Sequence, residues 1–300
     1  MDTFALEYAK AIRSEDPGMG ISKIWEMYQK EFRCEHDILG RDAFSTLLTD
    51  AHMKVRLKVR KPKTTDSSHG LPTFPNLIKD FIPTAPNQLW VSDITYIEIW
   101  LSETQYTFCY LSMIMDAYTK ELIGWSVGDS LETVYPLEAL KMALKRIEGQ
   151  EGNLIHHSDR GCQYASSDYV GLLREHHVKI SMTECGDPKD NAQAERINNT
   201  MKNELLKDMK FNDINQVRTA VAKATDFYNY RRPHMSINMM TPSQAFLCSG
   251  ELDKKWKSYR EEAIKAKRES IPDELVIPKN TLPLLSCQGL TEGLRPSVNP

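Results

Sequence analysis

Apolar residues first fall into step at Ile21, Ile24, Trp25, Tyr28 and Phe32, which recur at helical spacing. Phe44, Leu47 and Leu48 repeat the pattern behind Asp42, which would serve as an N-cap. Two short helices of this kind suit a small helix-turn-helix-like module over residues 1–60. Residues 61–88 then turn polar, with Pro62, Pro72, Pro75, Pro83 and Pro86, and proline both fixes φ and removes a donor. They read as a linker holding at most a short helix at Leu77–Phe81. From 89 the pattern changes again. LWVSDITYIEI, TFCYLSMIMDAY and ELIGWSVGD are rich in β-branched and aromatic residues and predict three consecutive strands joined by hairpins.

The order continues with an amphipathic helix through Leu137, Leu140, Leu144 and Ile147, then a short strand LIHHSD (154–159). A helix capped by Ser166 or Ser167, a strand VKISMT and a helix over about 190–206 follow. The next helix carries Val217, Ala220, Val221, Ala224, Phe227 and Tyr228 on one face. The sum, β-β-β-α-β-α-β-α-α, predicts an α/β domain over 89–247 whose mixed five-stranded sheet has helices on its faces. Residues 248–300 hold a mixed-charge helix pattern at 254–269 and a proline-punctuated tail, 271–300, read as poorly ordered.

Charge alters this picture in one place. The chain of 300 residues has 38 Lys+Arg against 41 Asp+Glu, a net charge of −3, which excludes a uniformly basic nucleic-acid binder. Yet KVRLKVRKPK (54–63) gathers Lys54, Arg56, Lys58, Arg60 and Lys61 with no acid among them, so a local basic arm for DNA or a solvated linker are both open. No run of 18 apolar residues and no apolar leader occurs, so neither a membrane span nor a signal peptide is expected. The six cysteines form no C-x-x-C pair, so zinc knuckles and a disulfide framework are not expected, and a cytoplasmic setting is.

Three acids stand out. Asp93 lies mid-strand in WVSDITYI, where a carboxylate must be paired, exposed or bound to a cation. Asp159 ends LIHHSD before Arg160-Gly161, where closing a turn would equally explain it. Glu195 belongs to a helix whose apolar stripe is Ala194, Ile197, Met201 and Leu205; Asn191, Glu195, Asn198 and Lys202 line the flank. Strand ends and a packed helix can bring three carboxylates to one point. Their mutual repulsion would then call for a divalent cation, and Mg²⁺ prefers oxygen ligands. The adjacent His156 and His157 suggest either a metal site or neutral core histidines.

WVSDITYI, HHSDRGCQY and SMTECGDPKDNAQAERINNTMKNEL resemble the catalytic blocks of insertion-sequence transposases with a retroviral-integrase-like DDE core. Asp159-x35-Glu195 matches the DD(35)E spacing, and Lys202, seven residues on, matches the downstream basic residue. TTDSSHGLPTFPNLI (64–78) and YNYRRPHMSINMMTPSQAF (228–246) fit as flanking blocks, and the resemblance is to the second-reading-frame product of the IS-three family.

What this implies is an RNase H-like core in which Asp93, Asp159 and Glu195 hold two Mg²⁺ (or Mn²⁺) ions. The activity implied is cleavage of the element's 3′ ends and their joining to target DNA. Lys202 would contact DNA near the scissile phosphate and Asn191 would help position the helix. The enzyme would work as a homo-oligomer on DNA, bacterial and nucleoid-associated, with a possible upstream-reading-frame product as partner, since the chain shows no sustained heptads. Arg231, Arg232 and His234 are further candidates for the DNA backbone, although a helix C-terminus stopped by Pro233 explains the two arginines equally well. Two other functions compete: a non-catalytic DNA-binding regulator of transposition, and a two-acid glycosidase, to which the basic arm lends nothing.

Overall fold

The computed structural model describes residues 2–33, 38–51, 53, 70–102, 105–147, 153–184 and 191–269. Residues 1–258 form one compact unit and 259–300 a second.

The chain opens with three helices: α1 (Asp2–Glu15), α2 (Ile21–Phe32) and α3 (Arg41–Asp50). Periodicity picks out α2 and α3 but passes over α1. That helix buries mainly Ala5, Ala9 and Ile12, and alanines give little hydrophobic contrast. Gly40 rather than Asp42 occupies the N-cap of α3; Asp42 falls in its first turn, exposed beside Arg41. Residues 70–88 contain a turn near Lys79, closed by Phe81 N donating to Ile78 O, and no helix at Leu77–Phe81.

Five strands build the sheet: β1 (Leu89–Trp100), β2 (Tyr106–Asp116), β3 (Leu122–Gly128), β4 (Ile155–Ser158) and β5 (Lys179–Met182), in the order β3-β2-β1-β4-β5. The first three form an antiparallel meander, and β4 and β5 run parallel to β1. This is the mixed five-stranded sheet expected of an RNase H-like core.

Alternation along β1 assigns its two faces. Val91, Ile97 and Ile99, with Cys109, Leu111 and Met113 of β2, face α7 (Ala192–Thr200), α8 (Ile214–Tyr230) and the N-terminal helices in one apolar cluster. Trp90, Ile114 and Ile123 face α4 (Val134–Leu144) and α6 (Ser167–Glu175) in a second. Gly124 lets α4 seat directly on β3, since a Cβ there would stand 2.2 Å from the Ala139 carbonyl oxygen. Ser166 caps α6, its Oγ accepting from Tyr169 N, and the short α5 (Cys162–Ala165) precedes it.

The helix expected over 190–206 is α-helical only to Thr200. Met201–Leu205 form a π turn, closed by Leu206 N donating to Met201 O at 2.9 Å. A short α9 (Pro242–Ala245), capped by Thr241, was not visible in the pattern. In the second unit α10 spans Tyr259–Glu269, beginning five residues later than the charge pattern implied. Residues 271–300 and the basic arm, with Lys54, Arg56, Lys58, Arg60 and Lys61, lie outside the described residues.

Candidate active site

β1 pairs with β2 along its whole length, but with β4 only over Leu89–Val91, opposite Ile155–His157. Beyond that point the ladder ends. Asp93 and Asp159 each stand two residues past the last paired positions, Val91 and His157, so the two aspartates follow neighbouring parallel strands in step. Both charges act on two tyrosines. Burial foremost, then Tyr110, Asp93 and Asp159, hold the Tyr96 hydroxyl above its ordinary pKa. Buried Tyr164 is raised further by burial, Tyr169 and the same two aspartates.

Local hydrogen bonds fix both carboxylates. Asp159 Oδ1 accepts from Gly161 N at 2.9 Å, and a Cβ on Gly161 would crowd that oxygen at 3.0 Å. Asp93 Oδ1 accepts from Ile94 N at 2.9 Å, and Oδ2 accepts from Asn198 Nδ2 at 2.7 Å.

Asn198 ties the acid pair to α7. The apolar stripe of that helix, Ala194, Ile197, Met201 and Leu205, is buried as its spacing predicts. The flank beside the stripe meets β1: Asn191 Nδ2 donates to Ser92 O at 3.0 Å and Asn198 to Asp93. Glu195 lies between these anchors, four residues after one and three before the other, and is half-buried. Lys202 is exposed in the π turn. Sequence spacing names Asn198 only as a flank residue; its bond to Asp93, 105 positions away, carries no local signal.

Among the described residues, no three His, Cys, Asp or Glu side chains stand close enough to hold a metal ion as they are placed. The donor chemistry still suits a hard cation, since all three acids offer carboxylate oxygens. Beside them, Asn191 Oδ1 and Asn198 Oδ1 are buried without a hydrogen-bond partner. An orphaned amide oxygen costs about 1–3 kcal/mol, which an ion or its water shell would relieve.

The two histidines are core groups. His156 Nε2 lies 2.9 Å from Ser92 Oγ and 3.0 Å from Tyr169 OH, and burial followed by His157 pushes its pKa down to about 3. His157 Nδ1 lies 2.8 Å from Ser181 Oγ, which also accepts from Leu77 N.

The block after α8 is held by acids of other elements. Arg231 is exposed and paired with Glu15. Arg232 and His234, candidates for DNA phosphate, are instead buried; Arg232 is 3% exposed and forks onto Glu204 at 2.6 and 2.7 Å. The reason is compensation: Glu204 and Asp16 supply negative charge inside, so the guanidinium is neutralised without DNA.

Two family profiles, each described as an integrase core domain, match residues 83–188 and 176–242. The transposase for insertion sequence element IS629 of Shigella sonnei is 31% identical over 229 residues, spanning 75% of this chain and 73% of that protein. Transposase InsF for insertion sequence IS3A of Escherichia coli (strain K12) is 34% identical over 184 residues, 59% of this chain and 60% of the relative. Among solved structures, the HTLV-2 integrase catalytic core domain in complex with magnesium (trimeric form) aligns with a TM-score of 0.39 at 18% identity, covering 55% of this chain and 99% of that one. With an integrase core spanning 83–242 and relatives of this identity over most of their length, the chain belongs to the insertion-sequence transposases.

Proposed function

We propose that this chain is a DDE-type DNA transposase that cleaves the ends of its element and joins them to target DNA by in-line phosphodiester attack. One observation carries the reading: Asp93 and Asp159 leave adjacent parallel strands in register, and the helix bearing Glu195 is bonded to Asp93 through Asn198. Asp93, Asp159 and Glu195 would hold Mg²⁺ or Mn²⁺, two ions per site, which supply the Lewis acidity that phosphoryl transfer needs.

The chain's own residues do the placing. Gly161 and Asn198 set the two aspartate carboxylates, Asn191 pins the start of α7 to β1, and exposed Lys202 offers an ammonium to a phosphate beside the acids. The exposed face of α3 carries Arg41, Asp42, Thr46, Thr49 and Asp50, with no basic excess. The attraction of an N-terminal DNA-binding module, residues 1–60, would therefore come from Lys54, Arg56, Lys58 and Arg60, with Lys61 at the start of the linker, and would weaken steeply with salt. Arg231 is the member of the RRPH block exposed enough to add to it. A homo-oligomer on DNA, with or without an upstream-reading-frame product, would bring two ends together. Among the described residues no helix is long and apolar enough to cross a membrane, and DNA chemistry suits the cytoplasm.

The test is incubation of purified chain with labelled element ends and a target duplex, with Mg²⁺ or with EDTA. Joined product that EDTA abolishes is expected. Binding in a gel shift with no joining under any divalent ion would instead favour a non-catalytic regulator.

A further inference from the structure

The π turn that continues α7 is gripped from both sides by residues distant in sequence. Glu204, on that turn, receives two guanidinium nitrogens: Arg232 Nη2 at 2.7 and 2.6 Å from its two oxygens, and Nε at 3.3 Å. Lys23 Nζ of α2 donates to Glu204 Oε1 at 3.0 Å, and Asp16 Oδ2 lies 3.6 Å from Arg232 Nε. Asp16 is fully buried, and the side chains of Arg232, Glu204 and Lys23 are 4, 15 and 18% exposed. Two acids thus face two bases away from water, where a bidentate pair is most directional. Burial, then Glu204, raises the Asp16 carboxyl, while burial, then Arg232, brings the Lys23 ammonium down to about 8.

The backbone adds a second lock. Gly18 N donates to the Glu204 carbonyl at 2.7 Å, and a Cβ on Gly18 would stand 2.0 Å from Glu204 Cα, so only glycine lets the α1–α2 loop lie flat against the turn. A π turn leaves carbonyls out of the α-helical ladder, and this loop supplies the donor for one of them.

We propose that Arg232 is a positioning residue for the acid-bearing helix: by clamping Glu204, jointly with Asp16 and Gly18 of the N-terminal helices, it fixes the phase of α7 and so the placement of Glu195 and Lys202. The N-terminal helices are then part of the catalytic frame and not solely a DNA-binding appendage. This rests on the reading of Glu195 as a catalytic acid.

The experiment compares full-length wild type, Arg232→Gln, Arg232→Lys, Glu204→Gln and Glu195→Gln by three readouts: single-turnover joining at saturating DNA with Mg²⁺, DNA affinity by anisotropy, and hydrogen exchange across 192–206. In Arg232→Gln the joining rate should fall roughly 10- to 100-fold, the range expected when a reacting group is misplaced by about 1 Å. DNA affinity should hold and exchange across 192–206 should quicken. Arg232→Lys, which keeps the charge but loses the fork, should recover only part of the rate. Should Arg232→Gln not fold, the isosteric Glu204→Gln, which loosens the same clamp, is expected to show the same split. A folded Arg232→Gln or Glu204→Gln with wild-type rate, or with unchanged exchange across 192–206, overturns the proposal. Exchange needs no activity, so it judges the clamp even if Glu195→Gln joins DNA as well as wild type, a result that would instead defeat the catalytic reading.

Discussion

Acid should loosen the very ladder from which the two aspartates emerge, and His156→Gln should suppress that effect. His156 sits opposite Trp90 in the β1–β4 pairing, three residues before Asp159, packed against Ser92 and Tyr169. Its pKa is depressed to about 3, chiefly by burial. The unfolded imidazole takes up a proton as pH falls through about 6.5, whereas the folded one stays neutral. Stability is therefore fully present above about 6.5 and is lost as pH falls toward 3. At about 1.4 kcal/mol per unit, the whole interval amounts to about 5 kcal/mol, and the stretch from pH 7 to pH 5 to about 2 kcal/mol.

His234, lowered by burial and by Arg232, adds in the same direction, while Asp16, raised by burial and by Glu204, opposes. Both contribute equally to wild type and variant, so the difference between the two pH profiles isolates His156. Urea unfolding followed by tryptophan emission, with fully buried Trp90 beside the site as reporter, gives both profiles. His156→Gln should lose about 2 kcal/mol less than wild type between pH 7 and pH 5. Equal losses would mean that this histidine is not held neutral, and the account of the β1–β4 junction would be wrong.

Two further substitutions probe the frame around the acids. Asn198→Ala removes a bond to a carboxylate, an interaction of about 1.5–3 kcal/mol, and should slow joining by about tenfold or more at saturating DNA while leaving DNA affinity in place; an unchanged rate would take Asn198 out of the site. Gly124→Ala drives a methyl group to 2.2 Å from the Ala139 carbonyl, so α4 must lift from β3. That should cost about 1–3 kcal/mol or more, read as a lowered melting temperature, and an unshifted melt would contradict the seating of α4.

The sheet was largely legible because its signals are local. β-branched and aromatic runs mark β1, β2 and β3 nearly to the residue, and the stripe Ala194, Ile197, Met201, Leu205 identifies the buried side of α7. The places of the candidate acids were legible for a related reason: Asp93 inside β1 and Glu195 on the flank of a packed stripe are conspicuous against their neighbours, and Asp159 just past β4 marks the end of its apolar run.

What stayed hidden is pairing at long range. Nothing near Arg232 announces that its charge is met by Glu204, 28 positions back, and by Asp16 of the first helix, so a basic doublet before Pro233 reads as readily as a phosphate contact. Asn198 looks like any polar flank residue until β1 is laid against it. The π turn was invisible because its sequence, MKNEL, suits an uninterrupted helix; the widened turn coincides with the Gly18 contact at Glu204, which the helix's own residues do not encode.

In the proposed reaction the carboxylates at 93, 159 and 195 act as one unit. Single-turnover joining with Asp93→Asn, Asp159→Asn and Glu195→Gln, each matched in shape to the native residue, tests it most directly. The prediction is that each change alone lowers Mg²⁺-dependent joining by about a hundredfold or more while DNA affinity and melting temperature stay near wild type. Wild-type joining by any one of the three would remove that residue from the unit and contradict the account.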